Sequence, residues 1–107
     1  MKTDSELAPL GVLEEQILVG VLRTRDEAYG MNVRREIERV TGRELAVGAV
    51  YATLDRLEAK GLVASKRVVV DGMSRRLFAL TRVGATALAE TRAMREALWR
   101  GVVLRTE

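Results

Sequence analysis

The spacing of the hydrophobic residues changes at Gly61, and this change limits what the chain can fold into. Before Gly61 the apolar residues recur at intervals of three and four, which is typical of amphipathic helices. After it, residues 62–70 are rich in β-branched side chains and residues 75–80 partly alternate, which is typical of β-strands. A chain of 107 residues with this pattern predicts one domain made of helices and a small sheet.

Three helices are predicted before Gly61. The first covers residues 10–23, the second follows the segment Tyr29-Gly-Met-Asn-Val33 and stops at Thr41-Gly42, and the third covers residues 46–60. The apolar positions of the three helices are Leu10, Leu13, Ile17 and Val21, then Val33, Ile37 and Val40, and finally Val47, Val50, Leu54 and Leu57. Residues 1–9 are expected to form a flexible N-terminal tail.

A β-hairpin and a fourth helix are predicted after Gly61. Residues 71–74 connect the two strands and begin with Asp71-Gly72, a favoured turn pair. Thr81 is suited to cap a last helix whose apolar stripe continues to Val102. About 20 helical residues span about 30 Å, so the end of this helix is expected to project from the domain. The predicted class is α+β and mainly α.

Three helices followed by a hairpin form a winged helix-turn-helix, in which the third helix enters the DNA major groove and the hairpin, or wing, contacts the backbone. We assign this domain to residues 10–80 and a dimerisation helix to residues 81–107. A helical wheel places Val47, Val50, Leu54 and Leu57 inward, and Ala49, Ala52, Thr53, Arg56 and Lys60 outward. The alanines would allow close approach to a groove, although a solvated helix face has the same composition.

The charge distribution agrees with an anionic partner. Residues 1–30 contain three basic and six acidic side chains, whereas residues 61–107 contain nine basic and four acidic ones. The wing carries Lys66, Arg67, Arg75 and Arg76, which suits phosphate contact. One alternative stays open, that the arginines protect an exposed sheet edge. Because side chains alternate along a strand, Arg75 and Arg76 are expected to point to opposite faces, so that not all four side chains reach DNA.

The apolar stripe of the last helix needs a partner if the helix projects. A second copy of the chain would cover it, giving a two-fold dimer with two recognition helices. The stripe residues are Val83, Ala87, Met94, Leu98 and Val102, with Trp99 at the edge. The alternative is that the helix folds back onto its own core. Trp99 has two candidate roles, packing in the interface or stacking on a flat ligand.

Several function classes are excluded by composition. The chain has no cysteine and no histidine, so it lacks a thiolate nucleophile, an imidazole base and the usual zinc ligands. Phosphate-binding glycine loops and serine nucleophile elbows are also missing from the sequence. We therefore expect no enzyme activity, no metal and no cofactor. The charges recur too often for a membrane span, which predicts a cytoplasmic protein.

Particular residues resemble those of the PadR-like transcriptional regulators. The similarity covers about residues 10–100, and it is carried by Tyr29-Gly30, Gly48-x-x-Tyr51-x-x-Leu54-x-Arg56-Leu57, Gly61-Leu62-Val63, Arg75-Arg76 and Leu80-Thr81-x-x-Gly84. The chain departs from the family pattern at Met31, Ala49 and Ala52. The resemblance implies a homodimeric winged-helix repressor whose groove side includes Gly48, Tyr51, Thr53 and Arg56, with the wing arginines on phosphate.

The sequence as a whole predicts a sequence-specific DNA-binding regulator with double-stranded DNA and a second copy of the chain as partners. The resemblance adds a small-molecule effector of unknown chemistry as a further expectation. The alternative function is a winged-helix module that contacts an acidic protein and does not bind DNA.

Overall fold

The computed structural model describes residues 9–106, which form four α-helices and a two-stranded antiparallel sheet. In chain order the elements are α1 (Val12–Thr24), α2 (Gly30–Thr41), α3 (Val47–Ala59), β1 (Val63–Val70), β2 (Met73–Leu80) and α4 (Arg82–Trp99), with a short 3-10 turn at Arg25–Glu27. This order confirms the predicted mainly helical class with a hairpin between the third and fourth helices. The predicted tail, residues 1–9, lies outside the described residues except for Pro9.

The core lies between α1, α2 and α3 and is closed by the hairpin. Its largest buried side chains are Ile17, Leu18, Val33, Val50, Leu54, Leu57, Val63 and Phe78. Burying a side chain of this size stabilises the fold by about 1.5–3 kcal/mol relative to leaving it exposed. Because α3 and both strands contribute to one core, their relative positions are fixed.

The hairpin turns through two residues, Asp71 and Gly72, whose φ angles are +52° and +78°. Positive φ at both positions is the geometry of a type I′ turn, which matches the twist of the flanking strands. Val70 pairs directly with Met73 across the turn. The strand β2 therefore begins two residues before the predicted Arg75, because the turn uses two residues and not four.

A single-residue bridge attaches the wing to the segment before α2. Tyr29 forms an isolated antiparallel bridge with Leu77, and the amide of Phe78 donates to the carbonyl of Ala28 at 3.0 Å. A single bridging residue has no periodic pattern, so this bridge could not be predicted from residue spacing. The bridge places the beginning of α2 beside β2.

The N-terminus of α4 is fixed by Thr81, as predicted. The Thr81 hydroxyl accepts from the Gly84 amide at 3.0 Å and donates to the Gly61 carbonyl at 2.6 Å. The helix ends at Trp99, before the predicted Val102, because Gly101 adopts a φ of +78°, the left-handed conformation that terminates helices.

Close packing of α4 requires glycine at position 84, so a substitution there is expected to lower stability strongly. A Cβ atom at this position would lie 2.1 Å from the backbone carbonyl oxygen of Leu62. Backbone cannot rotate away as a side chain can, so α4 must shift. We expect Gly84→Ala to lower the free energy of unfolding by about 3 kcal/mol, measured by urea denaturation.

Gly48→Ala is the matched control, since it also replaces a helical glycine by alanine. No atom lies within 4 Å of a Cβ built on Gly48. This variant is expected to gain about 0.5–1 kcal/mol from helix propensity. Equal stability of the two variants would contradict the close approach of α4 to Leu62.

Candidate nucleic-acid interface

The exposed side chains in the N-terminal half of α3 are small and apolar. Val50, Leu54 and Leu57 are fully buried, which turns Gly48, Ala49 and Ala52 toward solvent. The outward orientation predicted for Ala49 and Ala52 is therefore confirmed. Because these three residues are exposed and small, another molecule can approach the α3 backbone closely.

Two predicted orientations on α3 are wrong. Thr53, placed outward, is 1% exposed, because it stands three residues after Val50 and four before Leu57, on the buried side. Its hydroxyl accepts from Arg56 at 3.3 Å. Val47, placed inward, is 43% exposed, since it is the first helical residue and no preceding turn covers it. Thr53 is thus removed from the candidate interface.

The basic residues at the C-terminal half of α3 lean toward α1. Lys60 Nζ lies 2.8 Å from Glu14 Oε2, and Arg56 Nε lies 3.8 Å from the same oxygen. Desolvation raises the pKa of Glu14, but the hydrogen bonds from Lys60 and from the Gly11 amide outweigh it, and the pKa stays below its ordinary value. Arg56 is exposed as predicted, yet it is drawn to the flank of α3 that faces α1.

The wing presents its basic residues on two faces. Arg67 pairs with Arg76, and Lys66 pairs with Leu77, two residues from Arg75. Since directly paired residues share a face and neighbours along a strand do not, Arg67 and Arg76 lie on one face and Lys66 and Arg75 on the other. The expectation that Arg75 and Arg76 point to opposite faces is confirmed.

Arg76 is engaged within the protein. Its Nη1 lies 2.9 Å from Asp55 Oδ1 and its Nη2 lies 2.7 Å from Glu58 Oε1, both on α3. The guanidinium also lies over the Phe78 ring, 4.7 Å from the ring centre. A phosphate contact by Arg76, as predicted, would compete with these ion pairs, because both terminal nitrogens bind carboxylates.

Lys66, Arg67 and Arg75 are exposed, and among residues 9–106 none of the three forms an ion pair. Arg75 lies over the Tyr29 ring, with its guanidinium carbon 5.3 Å from the ring centre. This cation–π contact orients the side chain without neutralising its charge. The wing therefore carries three cations whose charges are available to an anionic partner.

A cleft of about 490 Å³ joins the wing to α3 and to the beginning of α2. Its lining comprises Tyr29, Gly30, Met31, Asn32, Arg35, Tyr51, Arg67, Met73, Ser74, Arg75 and Arg76. A Cβ atom on Gly30 would lie 2.5 Å from Cε1 of Tyr51, so only glycine allows the tyrosine ring to lie against α2. The pairing of Gly30 with Tyr51 explains two of the motifs noted in the sequence.

Residue patterns alone missed the contribution of α2 to this cleft. Arg35 and Asn32 line it, but they occupy polar positions of an amphipathic helix and carry no distinguishing pattern. The available signal was Tyr29-Gly30, which entered only through the family resemblance. The bridge between Tyr29 and Leu77 is what brings these residues to the wing.

The far part of α4 exposes an apolar stripe. Ala87 and Leu88 pack on the core, and buried Thr91 accepts from the amide of Leu10 at 3.3 Å. Beyond Thr91 the side chains are exposed, and Leu98 reaches 76% exposure. The large apolar residues exposed on α4 and the segment after it are Val83, Met94, Leu98, Trp99, Val102, Val103 and Leu104. The helix does not fold back over its own core along this part.

Within residues 9–106, no three Asp or Glu side chains are grouped so that they could hold a metal ion. No helix in that range is both long and apolar enough to cross a membrane. The candidate binding surfaces are therefore the cationic wing, the face of α3 with small side chains and the apolar stripe of α4.

Comparisons with known proteins agree with this geometry. The sequence profile of the "Transcriptional regulator PadR-like family" matches residues 18–90. Transcriptional regulator Rv3488 of Mycobacterium tuberculosis is 41% identical over 78 residues, which cover 73% of this chain and 72% of that protein. The matched range contains α2, α3 and both strands, and hence every element of the cleft.

Solved structures show the same fold. A PadR-like transcription factor from Bacteroides fragilis superposes with a TM-score of 0.71 at 26% identity, covering 84% of this chain and 85% of that one. RosR from H. salinarum superposes with a TM-score of 0.66 at 27% identity, covering 88% of this chain and 81% of that one.

Proposed function

The chain belongs to the PadR-like family of transcriptional regulators, and from that premise we propose that it binds its operator as a two-fold homodimer and represses transcription. It is a DNA-binding regulator and not an enzyme, as predicted. The proposed mechanism is exclusion of RNA polymerase from a promoter that the dimer occupies, in the cytoplasm.

The cleft between α3 and the wing is the observation that carries this proposal. Tyr51 of α3 and the wing residues Arg67 and Arg75 line the same space, so a duplex seated against one element meets the other. Phosphate neutralisation by such cations supplies much of the affinity of proteins for DNA. We assign Lys66, Arg67 and Arg75 to phosphates.

The N-terminal half of α3 is assigned to the major groove. Gly48, Ala49, Tyr51 and Ala52 lie there, and all but the half-buried Tyr51 are exposed. Small side chains let the helix backbone approach base edges, and alanine methyl groups suit contact with the methyl group of thymine. Arg56, on the flank beside α1, is assigned to a phosphate at the edge of the groove.

A second copy of the chain is proposed to cover the α4 stripe. Met94, Leu98 and Trp99 are exposed along one projecting helix, an arrangement that buries apolar area when two such helices pack together. Val83, Ala87 and Val102 were predicted in the same interface; Ala87 already packs partly on the core, and Val102 lies past the helix end. The dimer would present two copies of α3 to one face of DNA.

Trp99 keeps two candidate roles. It is half exposed beside the proposed interface, where it would pack against the second subunit or stack on a flat effector. Quenching of its fluorescence by planar aromatic compounds, with the dimer intact, would favour the effector role. No change in fluorescence would favour packing alone.

Selection of bound sequences from a random duplex pool tests the proposed function. We expect enrichment of two inverted half-sites whose centres lie about 34–36 Å apart, one turn of DNA. A single unpaired half-site would refute the dimer on DNA. No enrichment of any duplex at physiological salt would refute the proposal and favour the rival, a module that contacts an acidic protein.

A further inference from the structure

Arg76 connects the wing to the recognition helix. It extends from β2 to two carboxylates on α3, Asp55 and Glu58, at 2.9 and 2.7 Å. The Phe78 ring supports the flat side of its guanidinium. The Arg76 side chain is 27% exposed, whereas its neighbour Arg75 is exposed.

Glu58 is itself held by the strand that precedes the turn. The amide and the hydroxyl of Ser65 donate to Glu58 Oε2 at 3.1 and 2.8 Å. The hydrogen bond from the Ser65 hydroxyl and, to a smaller extent, the one from Arg76 hold the pKa of Glu58 below its ordinary value, so the carboxylate is charged at neutral pH. Both strands of the wing thus form hydrogen bonds with Glu58 of α3.

The carboxylates of Asp55 and Glu58 would repel DNA phosphates as α3 approaches the duplex. Asp55 is exposed and stands three residues after Ala52, on the adjoining part of the same helix face. An uncompensated carboxylate there repels phosphates at a distance where salt screens only part of the interaction. Arg76 is the cation that compensates both Asp55 and Glu58.

We propose that Arg76 is a positioning residue that screens Asp55 and Glu58 from the DNA and locks the wing to α3, and that it does not bind phosphate. This role rests on the proposed DNA-binding function. It makes the effect of Arg76 conditional on two acidic residues, which a phosphate contact would not be.

The test measures operator affinity for Arg76→Gln in two backgrounds, the native chain and a chain carrying Asp55→Asn and Glu58→Gln. In the native background we expect a loss of about tenfold, because two carboxylates per subunit lose their cation. In the neutralised background we expect the same substitution to change affinity by less than about twofold. Thermal melting of each variant shows that the compared proteins are folded.

Two further variants separate the possible causes. Arg76→Lys keeps the charge and should retain most of the affinity in the native background. Arg75→Gln is the matched control for a phosphate contact, and it should lower affinity equally in both backgrounds and reduce the salt slope by about 0.9 per subunit.

Three results would overturn the inference. An equal loss for Arg76→Gln in both backgrounds, with a smaller salt slope, would make Arg76 a phosphate contact. An unchanged affinity in both backgrounds would remove any role in binding, and failure of Arg76→Lys to bind any better than Arg76→Gln would refute screening. If the native chain binds no duplex, the proposed function itself fails, which is a different observation.

Discussion

Replacing Met94 and Leu98 together by glutamate is expected to convert the protein from a dimer to a monomer and to lower operator affinity at least about a hundredfold. Both side chains are exposed on the projecting part of α4, where the second subunit is proposed to pack. Four carboxylates in one apolar interface would have to be desolvated without partners, at a cost of several kcal/mol. Two linked half-site contacts would then become independent, with loss of the affinity that linkage provides.

Sedimentation at about 10 µM measures this effect. The native chain should sediment as a dimer and the double variant as a monomer. Val40→Glu is the control, because it puts a carboxylate on an exposed valine of α2 outside the α4 stripe, and it should remain dimeric. A native chain that is monomeric at this concentration, or a double variant that stays dimeric, would contradict the assigned interface.

Replacing Arg67 and Arg75 together by alanine has the second large expected effect, a loss of phosphate contacts on the wing. Each cation that neutralises a phosphate contributes about 0.9 to the slope of log affinity against log salt. We expect the double variant to reduce this slope by about two per subunit and to weaken binding at physiological salt by about a hundredfold or more. Neither residue forms an ion pair within residues 9–106, so stability should change little.

The salt titration needs a control for net charge. Arg92→Ala combined with Arg105→Ala removes the same two charges from exposed positions on α4 and after it. That variant should keep the native slope. If both double variants change the slope equally, binding responds to total charge and not to the wing surface.

Local structure could be predicted well from the sequence because its signals are local. The hairpin turn at Asp71-Gly72 and the cap at Thr81 each depend on a few neighbouring residues. The observed bounds of the first and third helices lie within two residues of the predicted ones. The start of the second helix was marked only by Tyr29-Gly30. The family resemblance added Tyr51, whose ring requires a glycine at position 30.

The remaining features depend on contacts between distant parts of the chain. The partners of Arg76 are 18 and 21 residues away on α3, and no pattern within the wing distinguishes Arg76 from Arg75. The predicted orientation of Thr53 was wrong for a local reason. Its spacing of three residues from Val50 and four from Leu57 places it on the buried side of α3, but its polar side chain was taken to be exposed. The polar side chain of Thr53 therefore led to a prediction of exposure, although the residue is packed in the core.

Cleavage of DNA by an iron chelate attached to single cysteines tests most directly which surface of the protein faces the duplex. The chain has no cysteine, so each introduced residue is the only attachment point. We choose Ala52→Cys on α3, Ser74→Cys on the wing and, as control, Val40→Cys near the far end of α2; all three positions are exposed. We expect cuts inside both half-sites from position 52, cuts in the flanking backbone from position 74, and none from position 40. Cuts from position 40 with none from position 52 would place another side of the protein on DNA and refute the assignment of α3 to the major groove.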